Sequence, residues 1–135
     1  MPELKKINHV AIVVENIENS LKFWRDGLGL ELDHIEEVPS QNSLVAFLPV
    51  GESEIELVQP TSNDSGMAKF LEKRGEGMHH LCIEVNDIEG VMCLLNERGI
   101  RLIDEIPNEL PGRKMAFIHP KSANGVLIEL YELTN

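Results

Sequence analysis

The chain states one pattern twice, and that repeat constrains its fold more than any other feature. His9-Val10-Ala11-Ile12-Val13-Val14-Glu15-Asn16-Ile17-Glu18 returns as His80-Leu81-Cys82-Ile83-Glu84-Val85-Asn86-Asp87-Ile88-Glu89, with five of ten positions identical and the histidines 71 residues apart. A second pair follows, Ile55-Glu56-Leu57 and Ile128-Glu129-Leu130, 73 residues apart. Such a period means two copies of one supersecondary unit. Each copy opens an apolar strand with a histidine and sets a glutamate inside another. Two imidazoles and two carboxylates form the donor set of a divalent metal.

The order of elements repeats as well. Residues 7–14 are apolar and β-branched after the histidine and predict a strand. Ile17, Leu21, Phe23, Trp24 and Leu28 then fall near helical spacing, with Asn16 as N-cap and Gly27 and Gly29 as stops. On this spacing Phe23 and Trp24 belong to the helix core. Three strands follow at 30–38, 43–49 and 54–59, separated by turn residues at 39–42 and 51–53. The second half gives a strand at 79–85 and a helix at 87–98, closed by Gly99 as Gly29 closes the first. Strands then follow at about 101–106, 114–119 and 126–132. A short helix over 65–74 links the halves. The expectation is one α+β domain over 1–135, with module 1 at about 5–62, a linking helix at about 64–75 and module 2 at about 77–134. Each module is β-α-β-β-β, and two such half-sheets would face one cavity.

Composition removes several functions. Twelve lysines and arginines against 23 acids give a net charge of −11, which argues against nucleic acid and anionic membrane surfaces. It leaves room for a small anionic ligand met by a few local cations. The start, Met1-Pro2-Glu3-Leu4-Lys5-Lys6, carries no signal-peptide pattern, and no apolar run approaches transmembrane length. Cys82 and Cys93 lack metal-type spacing and are expected as buried free thiols, which fits a cytoplasmic protein.

Each ligand candidate has an ordinary alternative. A lone histidine at a strand start is more often a surface or capped residue, and a strand glutamate can be solvated or ion-paired. Matched slots in two homologous units favour the metal: pseudo-symmetry would aim His9 and His80 at one axis. Glu129 lies in the nearly all-apolar run Val126-Leu127-Ile128-Glu129-Leu130-Tyr131, where a buried carboxylate must be neutralised, paired or bound to metal. Glu56 is less clean, because Glu54 shares its strand face. The other histidines have simpler readings: His34 exposed among acids, His79 facing away from His80, and His119 structural at a strand end.

These residues resemble the vicinal oxygen chelate superfamily, which includes glyoxalase I, extradiol dioxygenases and bleomycin resistance proteins. Within it they are most similar to the methylmalonyl-CoA epimerases. The resemblance spans the whole chain and is most specific at Gly77-Met78-His79-His80-Leu81-Cys82-Ile83-Glu84-Val85 and at His119-Pro120-Lys121-Ser122-Ala123-Asn124-Gly125-Val126-Leu127-Ile128-Glu129-Leu130. It implies an open eight-stranded half-barrel around a metal cavity, with His9, Glu56, His80 and Glu129 as ligands. One divalent ion per chain is implied, Co(II) in first place, with Ni(II), Mn(II) or Zn(II) as alternatives.

The implied reaction interconverts (R)- and (S)-methylmalonyl-CoA by proton removal and return at carbon 2, through an enolate that the metal stabilises. Glu129 would be one proton-transfer residue. The second is unassigned, because Val45 stands where many epimerases carry glutamate. Lys121, then Arg113 and Lys114, would meet the CoA tail, and a homodimer is implied. Glutamate at position 56, where many epimerases have glutamine, keeps glyoxalase I as an alternative. A non-catalytic ligand-binding module of the bleomycin-resistance type is the other.

Overall fold

A computed structural model describes residues 2–134. The order is β1 (Leu4–Val13), α1 (Ile17–Leu21), β2 (His34–Val38), β3 (Ser43–Val50), β4 (Ser53–Pro60), α2 (Gly66–Arg74), β5 (Gly77–Val85), α3 (Ile88–Glu97), β6 (Asn108–Leu110), β7 (Arg113–Ile118) and β8 (Ile128–Leu133). The α+β class and the duplicated β-α-β-β-β order are as the repeat requires. Two compact units form: His9–His79 in one, and the residues up to Asn8 with those from His80 onward in the other. The division cuts β1 just before His9 and β5 just before His80.

In the first unit β2 pairs antiparallel with β3, β3 antiparallel with β4, and β4 parallel with β1. In the second, β6 pairs antiparallel with β7, β7 antiparallel with β8, and β8 parallel with β5. The start of β1 lies beside the end of β5, where Asn86 N–H donates to Glu3 O at 3.2 Å.

Each helix covers one face of its sheet. Ile17 and Leu21 of α1 pack with Val14, Ala46, Leu48 and Leu57, and Ile88, Val91 and Met92 of α3 pack with Val85, Ala116, Ile118 and Leu130. Full burial of one such aliphatic side chain contributes about 2 kcal/mol. The helix starts match too. Asn16 caps α1 by accepting from Asn19 N–H (2.8 Å), and Asp87 caps α3 by accepting from Gly90 N–H (3.1 Å). The last strand of each module supplies a second acceptor: Gln59 Oε1 takes Ile17 N–H (2.9 Å) and Glu132 Oε1 takes Ile88 N–H (2.7 Å). Ser65 caps α2 through Ala68 N–H.

Four expectations need correction. The strand expected over 101–106 does not form. Leu102 makes an isolated bridge to Ile118, Asp104 Oδ2 accepts Phe117 N–H at 2.7 Å in place of a ladder partner, and the β6 hairpin strand begins only after Pro107. The strand expected from residue 30 begins at His34, with Leu30 and Leu32 packed on the core outside the ladder. Phe23 is 59% exposed rather than core, although Trp24 does pack on the core. The reason is a change of helical pitch: Lys22–Gly27 form π-turns, with Leu28 N–H donating to Phe23 O, so the 3.6-residue spacing no longer holds. Cys82 is buried, but Cys93 lies on the exposed side of α3.

Candidate metal centre

The parallel strand pairs place each histidine against a glutamate in the same way. In the first unit His9 registers with Glu54 and Ala11 with Glu56. In the second, Cys82 registers with Glu129. Each glutamate therefore stands two residues beyond the level of its histidine on the neighbouring strand, and a two-residue step keeps both on one sheet face. His9 Nδ1 lies 3.2 Å from Glu56 Oε2, and His80 Nε2 lies 3.1 Å from Glu129 Oε1. His9, His80 and Glu129 are buried, and Glu56 is 16% exposed at its side chain.

Both pairs sit on the face away from the helices. In β5, Ile83 and Val85 pack toward α3, so His80, Cys82 and Glu84 point the other way. The aromatic neighbours repeat as well: Phe47 registers with Glu56 and Phe117 with Glu129. The Phe117 ring meets the His80 ring edge-on at 5.8 Å, and His34 stacks on Phe47 at 4.4 Å. Apolar walls around a carboxylate make ionisation costly unless a cation or proton donor faces it. Paired imidazole and carboxylate donors, buried together, suit a borderline divalent ion.

The remaining site candidates lie outside these pairs. Val45 is buried with Ala11 and Val58, and Glu36, its register partner on β2, is exposed, as is Glu37. Lys121 is exposed in a short 3₁₀ turn, Pro120–Ser122, where His119 Nδ1 accepts its backbone N–H at 3.0 Å. Partial burial, then the charges of Arg101 and Lys121, hold His119 below the usual histidine range. Arg113 is half-buried on β7 opposite Leu133. Lys114 is tied to Glu89 at 2.9 Å, which raises the lysine pKa and lowers that of the glutamate. His79 faces Phe70 edge-on at 5.0 Å.

Two inner-face groups were not singled out from the sequence. Glu84 is buried, accepting from Asn8 Nδ2 at 3.0 Å with Lys5 Nζ at 3.5 Å. Tyr131 is its register partner on β8. Strand alternation from His80 through Cys82 to Glu84 was the available signal. A second acidic group, Asp87, Glu89 and Glu132, is accounted for by the two caps of α3 and the Lys114 ion pair.

A duplicated β-α-β-β-β chain with a matched histidine–glutamate pair in each copy defines a class. The sequence profile of the glyoxalase/bleomycin resistance protein/dioxygenase superfamily matches residues 8–117, and the chain belongs to that superfamily. Within it the chain is similar to the mitochondrial methylmalonyl-CoA epimerase of Mus musculus, 38% identical over 95% of this chain and 73% of that one. It is also similar to the ethylmalonyl-CoA/methylmalonyl-CoA epimerase of Cereibacter sphaeroides, 35% identical over 95% of this chain and 98% of that one. The crystal structure of methylmalonyl-CoA epimerase from Mycobacterium tuberculosis superposes with a TM-score of 0.87 at 35% identity, over 98% of this chain and 90% of that one. The fold is therefore that of the superfamily.

Proposed function

We propose that this protein is a metal-dependent epimerase that interconverts the (R) and (S) forms of methylmalonyl-CoA. The observation that carries the reading is the matched pair of histidine–glutamate couples in a chain whose relatives bear that name. His9, Glu56, His80 and Glu129 would hold one divalent ion, Co(II) in first place, with Ni(II), Mn(II) or Zn(II) as alternatives. When bound, such an ion draws charge from the thioester and carboxylate oxygens and acidifies the hydrogen at carbon 2.

The chain's own groups do the rest. Glu129 is the proposed proton-transfer residue: its carboxylate is buried beside the His80 imidazole, next to where the proposed ion would sit. Glu56 adds a negative charge to the donor set, which supports tight ion binding. Phe47 beside Glu56 and Phe117 beside Glu129 are apolar neighbours that would limit water at each carboxylate. Arg113 and Lys121 are proposed contacts for the substrate's anionic groups. A cytoplasmic homodimer is the proposed state, and sedimentation at micromolar concentration as a single 15.2 kDa species would refute the dimer. No helix among the described residues is long and apolar enough to cross a membrane.

The deciding experiment incubates the metal-loaded protein with (R)-methylmalonyl-CoA in heavy water. Deuterium at carbon 2 together with racemisation is expected; their absence rejects the reading. Turnover of methylglyoxal with glutathione in its place would assign glyoxalase I.

A further inference from the structure

We propose that Glu84 is a positioning residue for His9: through its hydrogen bond to Asn8 it fixes the stretch of backbone from which that proposed ligand projects. The inference rests on the metal reading above and goes beyond it, because Glu84 belongs neither to the proposed ligand set nor to the proposed proton transfer.

Glu84 is a buried carboxylate, 4% exposed, in a chain whose acids outnumber lysines and arginines 23 to 12. Burying one more acid is unfavourable unless a partner meets it. The supersecondary unit does not itself ask for a carboxylate there. By the 71-residue offset between the copies, the slot of Glu84 on β5 is the slot of Val13 on β1, and Val13 is 0% exposed. The first copy thus fills the same place with a plain apolar side chain. What the carboxylate adds is contact with two groups of β1. Asn8 Nδ2 donates to Glu84 Oε1 at 3.0 Å, and Lys5 Nζ lies 3.5 Å from Oε2. The Lys5 side chain is 54% exposed, so its ion pair is screened by solvent and contributes little. The Asn8 bond is the specific one, because its acceptor is a buried carboxylate oxygen.

Asn8 directly precedes His9. Neighbouring strand residues project to opposite sides, so a tether on the Asn8 side chain fixes the roll of β1 that aims His9. The second copy repeats the device with other chemistry. The residue before His80 is His79, and its ring packs edge-on against Phe70 of α2 at 5.0 Å. The Arg74 guanidinium stands over the same Phe70 ring at 5.3 Å. Each proposed histidine ligand therefore follows a residue whose side chain is itself held. Supporting contacts of this kind change metal affinity by about 10–100-fold.

The test replaces Glu84 by the residue that the first copy uses, Glu84→Val. Beside it stand Glu84→Gln, which keeps an acceptor oxygen for Asn8, and Asn8→Leu, which removes the donor. Co(II) is titrated into each metal-free protein, and the histidine ring signals of the metal-free proteins are recorded by NMR. Glu84→Val and Asn8→Leu should each raise the Co(II) dissociation constant about tenfold, and the double variant should raise it no further, since both cut one bond. Glu84→Gln should stay within about twofold of wild type. In Glu84→Val the His9 ring signals should shift while those of His80 stay in place. A general loosening of the fold would move both histidines, and that result overturns the proposal. An unchanged dissociation constant, losses that add in the double variant, or a Glu84→Gln protein as weak as Glu84→Val also overturn it. All of these leave the metal reading intact. Wild type that binds no Co(II) rejects the metal reading and the positioning role with it.

Discussion

Removing one member of a buried couple should cost far more than removing both. The His80–Glu129 couple shows this best, with side chains 9% and 7% exposed and 3.1 Å between Nε2 and Oε1. In metal-free protein, His80→Ala leaves Glu129 desolvated beside Phe117 without its imidazole partner. Breaking a buried pair in this way costs about 3–5 kcal/mol. A loss of about 3 kcal/mol is expected here. With a urea m-value of about 1.5 kcal/mol/M, a loss of about 3 kcal/mol moves the midpoint down by about 2 M. The double variant His80→Ala with Glu129→Leu removes the charge as well and should recover to within about 1 kcal/mol of wild type. Urea denaturation by circular dichroism gives all three values. Adding Co(II) at a hundredfold its dissociation constant should stabilise wild type by about 2.7 kcal/mol and neither variant. If His80→Ala costs under 1 kcal/mol without metal, the couple is not what neutralises Glu129. If it still gains stability from Co(II), His80 is not a ligand.

Glu129→Gln keeps an oxygen donor but loses the proton-accepting carboxylate; it should retain some metal and lose epimerisation by about a hundredfold or more in a deuterium-exchange assay. Lys121→Ala should raise KM for methylmalonyl-CoA without lowering kcat, and an unchanged KM would return Lys121 to an ordinary turn residue. His34 should titrate above the usual histidine value in an NMR pH series, chiefly because Asp33 Oδ2 lies 2.6 Å from its Nδ1 and secondarily because of Glu36; Asp33→Asn should bring it back down. Since folding raises that pKa, the contribution to stability is complete below the unfolded value and disappears as pH rises through the folded one.

How much could be read in advance depended on whether a signal was local or repeated. The histidines, the glutamates and the module order were legible because the repeat doubled each weak signal. His9–Glu56 and His80–Glu129 meet at nearly equal distances because the same register offset recurs. The cap at Asn16 was equally readable as a short polar residue before an apolar run, while Asp87, expected inside its helix, caps it. What failed was decided by single hydrogen bonds. Asp104 takes the Phe117 N–H, and the strand expected over 101–106 does not form. The π-turns after Leu21 turn Phe23 outward, and nothing in the spacing of Phe23 and Trp24 announces a change of pitch. The burial of Glu84 was hidden because its partners, Asn8 and Lys5, lie more than seventy residues away in sequence.

The two copies agree where the helix and the proposed ligands are concerned and differ elsewhere on the inner face. Gln59 and Glu132, equivalent by the 73-residue offset, both anchor a helix start, so the duplicated strand sets its helix as well as its carboxylate. By the same offsets, Ala11, Val13 and Val58 of the first copy answer to Cys82, Glu84 and Tyr131 of the second. The first copy closes that part of the face with an apolar cluster of Ala11, Val45 and Val58. The second lines it with a thiol, a carboxylate and a phenol. One proposed ion could draw on matched donors from both copies, while moving a proton at one carbon calls for groups that differ. The more polar of the two faces belongs to the module that carries Glu129, and this asymmetry favours Glu129 over Glu56 as the proposed proton-transfer residue.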